Sequence, residues 1–152
     1  MKVEVKWDPN FIKNFEKAVK DSAVEALEAV HSDLKESKTM PFDTGELQEK
    51  QTFVDETAEG ARLVHGIIYS RYLYYGLHMV DAKSIVGPMT EEMSSGNHRV
   101  PDPRGTKLKF RQTEGATGTR GSHWLEPYIS GDKKDFVKTE FAKALEKRLG
   151  SK

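Results

Sequence analysis

Residues 8–38 read DPNFIKNFEKAVKDSAVEALEAVHSDLKESK, and this stretch decides the fold. Phe11, Phe15, Ala18, Ser22, Ala26, Ala29 or Val30, and Leu34 recur in steps of three and four. That spacing lays one apolar stripe along a helix of about 25 residues, from Asn10 to about Lys38. The opposite face carries Lys13, Lys17, Lys20, Glu28 and Lys35. Asp8 is suited to cap the first turn, and Pro9 fits the first helical position, where a missing N–H costs nothing. The small residues in the middle of the stripe predict close packing by another element.

Upstream, Val3, Val5 and Trp7 alternate with Lys2, Glu4 and Lys6, which predicts a half-buried strand over residues 2–7. Downstream, the texture changes at Thr39–Leu47 and then becomes β-like. Gln51–Val54 and Ala61–Tyr69 read as two strands joined at Glu59-Gly60, a β-hairpin with Leu63, His65, Ile67 and Tyr69 on one side. Tyr69, Tyr72, Tyr74 and Tyr75 then crowd together before Gly76. Gly, Pro, Ser, Thr and Asn dominate residues 77–122, a long loop with one strand candidate at Lys107–Gln112. Phe136, Val137, Glu140, Phe141, Ala144, Leu145 and Leu149 mark a second helix from about Asp132, stopped by Gly150. The expected fold is α+β in a single domain spanning 1–152. Its long N-terminal helix and its C-terminal helix pack on a small antiparallel sheet, with a long Gly-rich loop.

Composition narrows the function. Lysine plus arginine and aspartate plus glutamate both number 24, so no global positive field exists to attract nucleic acid. There is no cysteine, which excludes disulfides, thiolate metal sites and a cysteine nucleophile. The alternating N-terminus does not read as a signal peptide, and no run approaches the roughly 18 apolar residues of a membrane helix. A soluble protein made in a reducing compartment is expected.

Motifs for chemistry are sparse. Asp43-Thr44-Gly45 is the triplet of dimeric aspartic proteases, but there it follows an apolar strand, whereas here it follows a helix and Pro41. A capping reading fits better: Asp43 as N-cap, Glu46 at the third helical position, and Phe42 with Leu47 as a hydrophobic staple. His31, His65, His78, His98 and His123 show no spacing that would bring about three ligands onto a metal, so no metal site and no cofactor is expected. No nucleophile elbow or phosphate loop occurs. Arg99, Arg104, Lys107, Lys109, Arg111 and Arg120 form a basic segment. It could follow a phosphate backbone weakly, meet an acidic partner, or lie solvated. The tyrosine cluster, with Trp124, supplies candidates for a protein interface.

The order of these features resembles the minor capsid proteins of tailed bacteriophages and, more distantly, the head–tail joining, neck and tail-completion proteins encoded beside them. A P-x-D-T-G-x-L segment matches Pro41–Leu47, and a Y-A-x-x-x-Y-x-G segment matches Tyr69–Gly76 with Ser70 in place of alanine. A W-x-x-P segment matches Trp124–Pro127 before the last helix. The resemblance spans about residues 10–149, and little of it falls between Gly76 and Gly121. It implies a structural role and no catalytic residues. Such a subunit would be made in the bacterial cytoplasm, reside in the virion and self-associate into a ring. Its partners would be the portal, an adaptor, a tail terminator or the tail tube, with no membrane. Ring closure needs two different patches, and the tyrosines are expected to supply one. The alternatives are a DNA-contacting protein using residues 98–120 and a hydrolase centred on Asp43.

Overall fold

The stripe on residues 8–38 becomes helix α1, Pro9–Ser37, in a computed structural model that describes residues 2–6, 8–42, 44–67, 70–81, 99–101, 104, 105, 107–110, 112 and 120–150. Asp8 Oδ1 accepts the Asn10 N–H at 2.9 Å, the predicted cap. The helix stops where Lys38 adopts a left-handed conformation, φ 54°. From Ser22 onward the predicted stripe is buried through Ala26, Val30 and Leu34. Its first two turns are not: residues 9–17 are exposed throughout, and Phe11 and Phe15 stack on each other in solvent, centroids 6.3 Å apart. α1 therefore overhangs the body that it helps to build.

The predicted strand over 2–7 is corrected: residues 2–6 form no strand and are exposed, and Trp7 lies outside the described residues. Alternation supplies only one face of a strand, and among the described residues no neighbour offers the backbone partners.

After Met40, which is fully buried, Gly45 takes φ 82° and opens a single π-helical turn, Glu46–Lys50. The Gln51 N–H reaches back to the Glu46 carbonyl at 2.8 Å. The hairpin follows. Strand β1, Thr52–Glu56, pairs antiparallel with β2, Ala61–His65, with Thr52 opposite His65 and Glu56 opposite Ala61. Both strands pack against α1. The chain leaves β2 four residues earlier than the sequence suggests and coils into a short helix α2, Ser70–Tyr75. Tyr72, Tyr74 and Tyr75 are thus helical, which periodicity over so short a run could not announce.

Within the predicted loop, β3, Met79–Asp81, pairs antiparallel with β4, Arg99–Pro101. The strand expected at 107–112 reduces to one bridge, Leu77 to Lys107. The C-terminal helix begins later than Asp132. A single turn α3, Glu126–Ile129, precedes α4, Phe136–Gly150.

α4 is the main partner of α1. The two run antiparallel, because Asp33 holds Tyr128 and Lys133 near one end while Glu25 meets Arg148 at 2.7 Å near the other. Buried Ser22, Ala26 and Ala144 let the backbones approach, as the small residues predict. The core joins Val30, Leu34, Met40, Leu47, Trp124 and Tyr128. Each large apolar side chain buried there contributes about 2 kcal/mol. The result is α+β, with a long N-terminal and a C-terminal helix on a small antiparallel sheet.

Candidate functional site

Three sequence segments far apart in the chain meet on one side of the hairpin: Met40–Lys50, Ser70–Gly76 and Arg120–Tyr128. Their meeting point is a directed chain of hydrogen bonds. Thr52 Oγ1 donates to the Leu47 carbonyl at 2.6 Å, so its oxygen is left to receive the Nδ1–H of His65 at 2.7 Å. Trp124 Nε1–H can only donate, and it points at His65 Nε2, 3.3 Å away. The neighbours therefore fix one neutral tautomer, with the proton on Nδ1. Burial, and secondarily the charge of nearby His31, hold the His65 imidazole at about 4. His31 in turn donates from Nε2 to the Gln48 carbonyl at 2.7 Å.

Arg120 completes the junction from the other side. It is 4% exposed. Its Nη1 donates to the Met40 carbonyl at 2.6 Å and lies 3.3 Å from Gln48 Oε1, while its guanidinium stands 5.0 Å from the centre of the Phe42 ring. The Gln112 side chain brackets the Arg120 backbone, accepting from its N–H at 2.9 Å and donating to its carbonyl at 2.8 Å. Sequence reasoning places Arg120 in the basic segment that could follow a phosphate backbone, meet an acidic partner or lie solvated. In the fold it is an internal staple, and only its isolation among Gly and Thr hinted at a different role.

The tyrosines divide. Tyr74 packs edge-on against Trp124, centroids 4.9 Å apart, and against Tyr75. Its hydroxyl reaches Glu126 at 3.4 Å. Burial and the Glu126 carboxylate push the phenol up. Trp124 is 2% exposed. Trp124 thus belongs to the core, and Tyr74 is half-buried against it. Tyr75 is 51% exposed. Tyr72 is half-buried and lines an open groove of about 450 Å³ with Leu73, Pro41, Phe42, Leu47 and Phe110. Tyr69 lies outside the described residues.

The predicted cap is revised. The residue that opens the turn is Gly45, with no side-chain cap bond, and Glu46 is its first residue rather than its third. Asp43 lies outside the described residues. Leu47 is buried, while the Phe42 ring sits against Gly45, at 3.1 Å from where a Cβ would stand. Of the basic segment, Arg104, Lys107 and Lys109 are exposed, the Arg99 side chain is not described, and Arg111 lies outside the described residues.

Among the described residues no cluster of three or more His, Asp or Glu could hold a metal, and no helix is long and apolar enough to cross a membrane. Tyr128 and Asp33 form the remaining polar junction. Burial and its bond to Asp33 push the Tyr128 phenol up. Burial opposes ionisation of Asp33, but hydrogen bonds from Lys133 and Tyr128 prevail and hold its carboxyl below the usual range. This junction ties α1 to the turns that precede α4. No family model, curated protein or solved structure matches the chain.

Proposed function

We propose that this chain is a structural subunit of a tailed-bacteriophage virion, a minor capsid or head–tail connector protein of the neck or tail-completion kind, acting through protein–protein contacts. The observation that carries the reading is the junction. The three motifs that resemble the phage family, Pro41–Leu47, Tyr69–Gly76 and Trp124–Pro127, occur in that order in the sequence. Their described residues pack together through Leu47, Leu73, Tyr74 and Trp124. Motifs that share a packing role travel together for a structural reason, without catalysis.

The self-association and the neighbours in the head–tail region follow from the same reading. Localisation to the virion, after synthesis in the bacterial cytoplasm, belongs to it too. Weak DNA contact by Arg104, Lys107 and Lys109 is the second reading, since these three are exposed on one short stretch. The loss of Arg120 to the interior thins that patch.

Mass in solution, alone and after addition of the proteins encoded beside it, tests the proposal. A closed oligomer or a defined complex without added substrate is expected. A monomer that ignores those neighbours overturns it. Salt-dependent retention of DNA by the isolated chain would favour the second reading. A hydrolytic activity lost in Asp43→Asn, with the fold intact, would favour catalysis.

A further inference from the structure

The N-terminal arm and the hairpin carry two halves of one interface. Residues 2–6 have the alternation of a half-buried strand, yet Val3 is 77% and Val5 66% exposed and no strand forms. The hairpin, conversely, is a sheet of only two strands, packed against α1.

The hydrogen bonds show which groups β1 turns outward. Gly66 N–H donates to the Gln51 carbonyl at 2.7 Å, and Thr57 and Gly60 exchange bonds at 2.9 and 3.4 Å. With Thr52 opposite His65, antiparallel alternation makes Phe53–Val64 and Asp55–Arg62 the bonded pairs. The N–H and C=O groups of Val54 and Glu56 then point away from β2. On the far side of β2 the corresponding His65 carbonyl already accepts from the Ser70 hydroxyl at 3.1 Å. Thr52 is buried, so the reachable edge of β1 is Val54–Glu56.

Charge selects the occupant. Beside this edge lies an open hollow of about 500 Å³ between Asp21, Glu25 and Glu28 of α1, Glu56, and Lys147 and Arg148 of α4. Lys17 pairs with Asp21 at 2.6 Å and Arg148 with Glu25 at 2.7 Å. Glu28 and Glu56 have no ion pair among the described residues. The arm brings Lys2, Glu4 and Lys6, a net positive set, on the face opposite its valines.

The arm cannot serve its own hairpin. From Pro9 to the level of Glu25, α1 rises about 24 Å at 1.5 Å per residue. Residues 2–8, even fully extended at about 3.3 Å each, reach about 23 Å and must first reverse direction. We propose that residues 2–6 of one copy add as a third strand to β1 of a second copy along Val54–Glu56, with Lys2 and Lys6 over Glu28 and Glu56. Donor and acceptor are different patches, so the contact is heterologous and propagates from copy to copy. The inference rests on the self-association in the proposed function and names the surfaces that make it.

The native chain has no cysteine, so introduced ones report on proximity alone. Full-length Val5→Cys and Glu56→Cys chains, mixed under mild oxidation, are expected to give a disulfide-linked heterodimer. Val5→Cys with Arg71→Cys, an exposed position away from the edge, is expected to give none. Deleting residues 2–6, which are exposed throughout, is expected to abolish the oligomer in sedimentation while leaving thermal unfolding unchanged. Equal cross-linking of both pairs overturns the inference, as does an oligomer that survives the deletion; in the latter case another surface joins the copies and the virion reading stands. Parent chains that stay monomeric but capture a neighbouring virion protein through residues 2–6 also overturn it, because the occupant is then that protein. Parent chains that neither self-associate nor bind those neighbours overturn both.

Discussion

Lowering the pH should weaken this fold through His65. The ring is neutral because Trp124 donates to Nε2 while Nδ1–H faces Thr52, and a second proton would displace the Trp124 bond. In the fold His65 titrates at about 4, against 6.5 for a free side chain. Between those values the unfolded chain takes up a proton that the native state refuses, so stability is full above pH 6.5 and falls as pH drops toward 4. The difference corresponds to about 3 kcal/mol if fully expressed, and partial access of the ring to solvent reduces this to about 2 kcal/mol. Urea unfolding followed by tryptophan emission at pH 7.5, 6 and 4.5 measures it. His65→Asn keeps a donor for Thr52 and cannot titrate. It should be less stable at pH 7.5, yet lose about 2 kcal/mol less than the parent on acidification. Parallel pH dependence in parent and variant would refute the reasoning.

Arg120→Lys should cost about 2–4 kcal/mol in the same assay, because a lysine loses the planar guanidinium that faces the Phe42 ring while its Nη1 donates to Met40 and Gln48 from a buried site. Gly76→Ala places a Cβ 2.9 Å from that of Ser122 at φ 67°, whereas Gly105→Ala has the same φ and open space. The first should cost well over the roughly 1 kcal/mol of the second, and Ser122→Gly should recover the excess. Asp8→Ala removes the α1 cap and should speed hydrogen exchange in the first turn with little change in Tm. The cap contributes about 1 kcal/mol, and the turn it holds is exposed throughout.

Legibility in the sequence followed the length of the pattern. α1 repeats its stripe often enough to fix both type and face, and Asp8-Pro9 marks its start within a residue. The hairpin is legible because Glu59-Gly60 sits between two β-rich runs. α2 has only six residues, too few for one period to outvote three tyrosines that favour strands. The strand expected at 2–7 shows the converse failure: alternation states what a segment could pair with, not whether a partner is present. Asp132–Asp135 carries the polar residues of a helix start, but the chain uses them in the turns that place Lys133 on Asp33. The junction was the least legible part. His65, Thr52 and Trp124 are brought together only by tertiary structure, and Arg120 looks like its basic neighbours until Met40 and Phe42 are placed beside it.

The pairing of α1 with α4 sets the order in which this chain can fold. Ser22 and Arg148 touch across 126 positions of sequence, and Asp33 and Lys133 across 100. The longest helix therefore emerges from the ribosome with its apolar stripe uncovered and waits for nearly the whole chain to follow. The local hairpin can close in microseconds, but the helix pair is a late and slow event. During that interval Val30 and Leu34 lie bare, open to chaperones or to wrong partners. A nascent chain arrested before Phe136 should remain sensitive to protease along α1.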